Sequence, residues 1–256
     1  MTSAIFVSDI HLDIGNSQRT NLFLSFLDDI SSSANSLYIL GDLFDAWVGD
    51  DILDRYQNII DAFLKLSKTT KLYIVRGNRD FLLGDKFAKA ANCSILPDEY
   101  CIRIGSQNIL ISHGDLYCTK DETYQRFRSM VHNPEWQNNF LSKPIEEREI
   151  FAQQARAASI ENYKKLNQAQ EVTYSSLYEH VKHFDAQTVI HGHIHREGHI
   201  SHNLDNQILD RFILKDWSDI KGSAVIENNG IFKQAHYSIE KGITIFDEVI
   251  LLNNTK

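Results

Sequence analysis

Five short apolar runs, AIFV, SLYIL, KLYIV, NILI and QTVI, are each followed within a few residues by side chains able to bind a metal ion. Each run is rich in β-branched and aromatic residues and too short for a helix, so each predicts a buried strand. Behind them stand Asp9 and His11, then Asp42 in LGDLFD, Asn78 in RGNRD, His113 in ISHGD, and His193 with His195 in HGHIHR. Between the first three runs, Leu22, Phe23, Phe26, Leu27 and Ile30 share one helical face, as do Leu53, Tyr56, Ile59, Ile60 and Phe63. Strands alternating with amphipathic helices predict a layered α/β fold with sheet between helices.

Residues 119–184 interrupt that rhythm. TKDE reads as a capping box, with Thr119 as N-cap and Glu122 three residues on, and Tyr124, Phe127 and Val131 then line one helical face. Pro144 opens a second, long polar helix, and Leu177, Val181 and Phe184 mark a third. The segment is expected to be a helical insertion between two strands of a single domain spanning 1–256. Beyond residue 200, RFILKDW, GSAVIE, IFKQAHYSI and EVILL predict antiparallel strands that finish the sheet or build a second layer. With 256 residues and 43% hydrophobic content, one core is affordable and two independent domains are not expected.

In open α/β sheets, ligand sites form beyond the carboxyl ends of the strands, where neighbouring loops converge. Asp9, His11, Asp42, Asn78, His113, His193 and His195 are therefore expected to meet in space. Side chains at i and i+2 of an extended segment point the same way, so Asp9 with His11, and His193 with His195, are each expected to hold one ion together. Carboxylate, imidazole and amide donors suit Mn²⁺, Fe or Zn²⁺ better than Ca²⁺ or Mg²⁺. Seven ligands exceed one tetrahedral shell, and two ions sharing a carboxylate accommodate them. Such a pair, roughly 3.5–4 Å apart, acidifies a shared water and neutralises phosphoryl oxygens, which suits phosphoester or phosphoanhydride hydrolysis.

The bulk composition narrows the partners. A net charge of -8 argues against tracking a nucleic-acid backbone. Cys93, Cys101 and Cys118 form no CxxC pair and leave an odd thiol, which suits a reducing compartment. No apolar stretch approaches the roughly 20 residues of a membrane span, and no signal-like segment opens the chain, so a cytoplasmic start is expected.

Taken together in order, Asp9-Ile10-His11, Gly41-Asp42, Gly77-Asn78, His113 and Gly192-His193-Ile194-His195 resemble the calcineurin-like metallophosphoesterases. The resemblance implies an α/β fold built as a layered β-sheet sandwich flanked by helices, with the insertion at about 119–184 as a lid. It implies that Asp9, His11, Asp42 and His195 hold one ion and that Asp42, Asn78, His113 and His193 hold the other, so that Asp42 bridges.

Arg79 narrows the substrate. Much of that wider family resembles Gly-Asn-His, where the histidine can protonate an alkoxide leaving group. A guanidinium binds phosphate through a planar fork of donors but supplies no proton near neutral pH. A phosphate leaving group, with a second pKa of about 6, needs none. A pyrophosphate bond therefore fits Arg79 better than an alcohol's monoester does.

YILGDLFDAWVGDD, GNRDFLLG, HGDLYCT and IHGHIHR are similar to the UDP-2,3-diacylglucosamine pyrophosphohydrolases of lipid A synthesis. That resemblance implies two Mn²⁺ per chain, a lipid-linked UDP-sugar substrate, attack at the phosphorus nearer uridine, and release of UMP and 2,3-diacylglucosamine 1-phosphate. It implies Asp42, Arg79 and His113 as catalytic, and Asn78, Arg79, Asp121, Ser159, Asn162, Lys164 and His193 as substrate-binding. Direct counting brings Tyr163 and Leu166 to the places of the family's usual asparagine and lysine; Asn162, Lys164 or Lys165 stand beside them. Phe127, Val131, Trp136, Phe140, Leu141 and Phe151 are candidates to line an acyl chamber, or to pack helix against helix. Trp47 and Trp217 are read as packing residues. A peripheral contact with the cytoplasmic face of a Gram-negative inner membrane is implied, with no nucleic acid and no obligate protein partner. The rivals are a generic phosphoesterase acting on nucleotides or phosphoproteins, and a non-catalytic scaffold of the same fold.

Overall fold

The apolar runs of the first hundred residues become parallel strands, and the helices between them supply the crossovers that parallel pairing needs. A computed structural model of the chain describes residues 2–165, 171–204, 207–246 and 249–252. In its first part β1 (Thr2–Val7), α1 (Ser17–Ile30), β2 (Ala34–Leu40), α2 (Gln57–Leu66), β3 (Lys71–Val75), α3 (Asp85–Ala91) and β4 (Ser94–Leu96) alternate. Then come β5 (Glu99–Ile104), β6 (Gln107–Ser112) and four helices, α4 (Glu122–Val131), α5 (Pro134–Leu141), α6 (Ile145–Lys165) and α7 (Tyr174–Phe184). Last are β7 (Thr188–His191), β8 (Gly198–Leu204), β9 (Gln207–Ile213), β10 (Gly222–Asn228), β11 (Ile231–Ser238), β12 (Gly242–Phe246) and β13 (Val249–Leu252).

Two sheets result. One has seven strands in the order β12-β11-β10-β1-β2-β3-β4, and the other six in the order β13-β8-β9-β7-β6-β5. Side-chain alternation along β1 shows how they stack. Ala4 and Phe6 point into a cluster with Ile109, Ile111, Ile190 and Phe212 of the other sheet. Ile5 and Val7 point oppositely, into a cluster with Phe23 and Phe26 of α1 and Ile59 and Phe63 of α2. On the far side of the second sheet, Leu110 and Val189 pack against Leu177 and Val181 of α7. The molecule is therefore four layers deep, helix, sheet, sheet, helix, and buried strands of this kind read as unbroken apolar runs.

Three expectations change. The 119–184 segment contains four helices rather than three, because Asn133 caps a separate α5 through its side chain. The capping residue of α4 is Asp121, which accepts the backbone N–H of Tyr124, and not the exposed Thr119; both satisfy a capping pattern, and aspartate is the stronger N-cap of the two. Finally, α7 belongs to the core as the cover of the second sheet. Trp136, Phe140 and Phe151 join the cluster on the outer face of the first sheet. Arg148 of α6 is buried and bonds the Val48 and Lys143 carbonyls and the Asp51 carboxylate, which ties α6 to the body of the protein. Trp47 and Trp217 are fully packed in the core.

Candidate metal centre

The seven residues singled out in the sequence come together, but they come from both sheets. Asp9, His11, Asp42 and Asn78 follow β1, β2 and β3, whereas His113, His193 and His195 follow β6 and β7 of the other sheet. The site lies where the two sheets' carboxyl ends meet.

The expected pleated alternation does not aim these side chains. β1 ends at Val7, and Asp9 and His11 have φ of +54° and +52°; Asp42, His193 and His195 stand at +53°, +69° and +53°. Five of the seven thus occupy the left-handed region, which aspartate, asparagine and histidine enter more readily than other side chains. Strain of this kind persists where the surroundings over-determine it, and it clusters at functional sites. Here the supports are backbone bonds from Asp9 N to Gly41 O (3.1 Å), His11 N to Asp42 O (2.9 Å) and Gly192 N to His113 O (2.9 Å). Neighbouring glycines make room: a Cβ on Gly77 would lie 2.2 Å from Asp42 Oδ1, and one on Gly192 would lie 2.1 Å from Asp9 Oδ2.

Two groups of ligand atoms form. In one, His195 Nε2 is 3.3 Å from Asp9 Oδ1 and 3.3 Å from His11 Nε2. In the other, Asn78 Oδ1 is 2.9 Å from both His113 Nε2 and His193 Nδ1, which are 3.2 Å apart. Asp42 stands between them, with Oδ2 3.8 Å from His11 Nδ1 and Oδ1 3.7 Å from His113 Nε2. Asp9 also reaches both sides, since its carboxylate lies with His11 and His195 and again with Asp42 and His113, ligand atoms being within 4.8 Å of one another in each set.

The chemistry of the donors fits divalent cations. His113 Nδ1 lies 2.9 Å from the Leu40 carbonyl, which can only accept, so that nitrogen carries a proton; against the burial of the ring, Asp42 and Asp9 push His113 up to about 9, so without a cation Nε2 is protonated too and donates to Asn78 Oδ1. A cation bound among these groups would take the place of that proton and free the Nε2 lone pair to hold it. Asp9 Oδ1 and His11 Nδ1 are buried and have no hydrogen-bond partner among the described residues. Burial pulls His193 down to about 3, with His113 beside it adding to the effect, and it pulls His11 well below its ordinary value. Both rings are thus neutral and able to ligate. Burial also pushes the Asp42 carboxyl up to about 7, with Asp80 and Asp9 adding to it against His113 and Arg79. A bound cation relieves that crowding of carboxylates.

The remaining expected residues divide. Arg79 adjoins the cluster, with Nε 3.5 Å from Asp42 Oδ2, Nη1 2.6 Å from Asp45 Oδ1, and its backbone N–H donating to Asp42 Oδ1. Arg156 of α6 bonds the other oxygen of Asp45. Asp121 caps α4, and Ser159 is exposed on α6. The side chains of Asn162 and Lys164 lie outside the described residues. Phe140 and Val131 are packing residues, Leu141 is exposed, and Phe127, Trp136 and Phe151 are half-buried within an aromatic group in which Trp136 stacks on Phe140 at 4.7 Å.

Two residues escaped the sequence reading. Asp80 is fully buried and accepts the backbone N–H groups of Gly77, Leu43, Phe44 and Asp42, tying the GD and GN loops together. Its signal was the aspartate closing GNRD. Tyr124 lies with its ring 5.7 Å from that of His193 and donates to Asp115 at 2.5 Å; its helical spacing points to packing only.

A sequence profile of the calcineurin-like phosphoesterases matches residues 3–197. Among curated relatives, UDP-2,3-diacylglucosamine hydrolase of Chromohalobacter salexigens is 40% identical over 86% of this chain and 91% of its own. The protein of that name from Pectobacterium carotovorum is 40% identical over 87% and 94%, and that from Aromatoleum aromaticum 39% over 85% and 90%. Among solved structures, an archaeal phosphodiesterase is similar over 95% of this chain and 99% of its own, with a TM-score of 0.44 and 12% identity. Vacuolar protein sorting 29 from Cryptosporidium parvum is similar over 96% and 97%, with a TM-score of 0.43 and 10% identity.

Proposed function

We propose, from the premise that this chain belongs to the calcineurin-like phosphoesterase family, that it hydrolyses the pyrophosphate bond of UDP-2,3-diacylglucosamine to UMP and 2,3-diacylglucosamine 1-phosphate. The observation that carries this is the 40% identity, across most of both chains, to relatives named for hydrolysing that compound. In this reading Asp9, His11, Asp42 and His195 hold one divalent ion, Asp42, Asn78, His113 and His193 hold a second, and Mn²⁺ is the natural occupant. Bound there, the ions supply a nucleophilic water at neutral pH and neutralise phosphoryl oxygens.

The chain's own residues do the rest. Arg79, held by Asp45 beside Asp42, turns its guanidinium toward the phosphoryl oxygens and donates hydrogen bonds to them without giving up a proton. Attack on the phosphorus nearer uridine breaks its bond to the bridging oxygen, and the departing sugar phosphate takes the electron pair as a phosphate, which needs no acid. Asn78 and His193 also face the substrate, and Asp121 and Ser159 contact it from the insertion. The half-buried rings of Phe127, Trp136 and Phe151 suit acyl chains entering under α4–α6 as a lid. No described helix is long and apolar enough to cross a membrane. The enzyme would meet its lipid as a peripheral protein on the cytoplasmic face of a Gram-negative inner membrane.

Hydrolysis in ¹⁸O-labelled water tests this. The expected products carry the label in UMP and none in the lipid phosphate. Label in the lipid phosphate would overturn the assigned site of attack, and an intact substrate would overturn the activity.

A further inference from the structure

Arg211 is a buried cation with no ion-pair partner among the described residues: it is 3% exposed and sits on the outer face of the second sheet. Burying a charge is costly, and an apolar residue of like size fills such a place at less cost. The Tyr174 ring, 5.7 Å from the guanidinium carbon, offsets part of that cost and leaves Nε free to bond elsewhere. In the β7–β9 pairing Arg211 lies opposite Val189, two positions before His191, so the side chains of Arg211 and His191 share one face of the sheet. There Arg211 Nε donates to His191 Nε2 at 2.9 Å.

That contact determines a tautomer. A guanidinium only donates, so His191 Nε2 carries the lone pair and, in the neutral ring, Nδ1 carries the proton. His191 Nδ1 is 2.9 Å from the carbonyl oxygen of Gly192, which accepts it. The same oxygen accepts the backbone N–H of Ile194, also at 2.9 Å, closing a three-residue γ-turn around His193 at φ +69°. Turns of this hand are rare and strained. The other end of that peptide group, the His193 N–H, donates to Asp9 Oδ2 at 2.9 Å. One peptide unit is thus clamped at both ends, by His191 on its oxygen and by Asp9 on its nitrogen. Gly114, at φ +110°, leaves space for the clamp, since a Cβ there would lie 2.6 Å from His191 Nδ1.

We propose that Arg211 is a positioning residue for the metal centre: by fixing His191 as the Nδ1–H tautomer it holds the strained turn that aims His193 and orients Asp9. The metal-holding role of His193 and Asp9 is the one proposed above, and the chain of contacts behind it is separate from substrate choice.

Two measurements on the whole protein decide it. Nitrogen-15 NMR of the metal-free wild type should find the proton of His191 on Nδ1; a proton on Nε2 overturns the proposal without any substitution. Calorimetric titration with Mn²⁺ should then find Arg211→Met weaker by about 10- to 100-fold, as for other residues that orient metal ligands. Arg211→Lys, still a pure donor, should recover most of the loss, and the Co²⁺ absorption bands should shift in the methionine variant and return in the lysine one. Wild-type affinity in Arg211→Met, or equal loss in both variants, overturns the proposal. A wild type that bound no metal would instead refute the metal centre itself.

Discussion

Asp42→Asn is expected to cut turnover by about 10³- to 10⁴-fold while leaving the fold intact. Both oxygens of Asp42 face histidines of the cluster, His11 on one side and His113 on the other, so one neutralised carboxylate weakens both halves of the site. Two bound cations contribute several kcal/mol to stabilising the charge of a phosphoryl transition state. Losing about 4–6 kcal/mol of that corresponds to the stated rate loss. Asparagine is the informative replacement because it keeps the volume and tolerates the left-handed backbone at φ +53°, where alanine would be strained. Its amide oxygen can still accept the Arg79 N–H that Asp42 Oδ1 accepts at 2.9 Å. Steady-state kinetics with Mn²⁺, beside a thermal melt of the metal-free variant, separates loss of chemistry from loss of fold; undiminished turnover would remove Asp42 from the site.

Arg79 carries the second large effect. Arg79→Met is expected to lower kcat on the pyrophosphate by about 10²- to 10³-fold, the usual loss on removing one donor aimed at developing charge. Arg79→His sharpens the test, because imidazole brings the proton source that guanidinium lacks. The histidine variant should lose activity on the pyrophosphate and gain, relative to the parent, on a monoester whose leaving group is a simple alcohol. The ratio of kcat/KM for the two substrates measures it. A ratio unchanged between parent and histidine variant would detach leaving-group choice from this position. Asp45, which holds Arg79 from one oxygen and Arg156 of α6 from the other, joins the insertion to this corner of the site.

The strands that carry ligands were readable because burial on both faces leaves a run such as SLYIL or NILI almost wholly apolar, whatever its neighbours. The short or peripheral strands were not. β4 has three residues, and β12 at the sheet edge exposes Ile245, so neither pattern stands out from a loop. That the seven candidate ligands meet in space was readable because metal-capable side chains follow five strand-like runs in turn. Their aiming was not, since nothing in Asp-x-His distinguishes extended from left-handed backbone, and the structure uses the latter at Asp9, His11, His193 and His195. Nor was the division of the ligands between two sheets visible, because strand order depends on partners distant in sequence. Asp80, His191 and Arg211 bond to neighbouring backbone groups and side chains and not to the donor atoms of the cluster, and single positions of that kind leave no spacing to recognise.

The proposed requirement for two divalent ions, held between the carboxyl ends of the two sheets, underlies the activity. It is tested most directly by titrating Mn²⁺ into chelator-stripped protein while recording bound metal and the hydrolysis of UDP-2,3-diacylglucosamine together. The predicted result is no hydrolysis without metal and a rate that climbs to its full value as two equivalents bind per chain. Full hydrolysis after exhaustive chelation, or two equivalents bound with the lipid left intact, would contradict it.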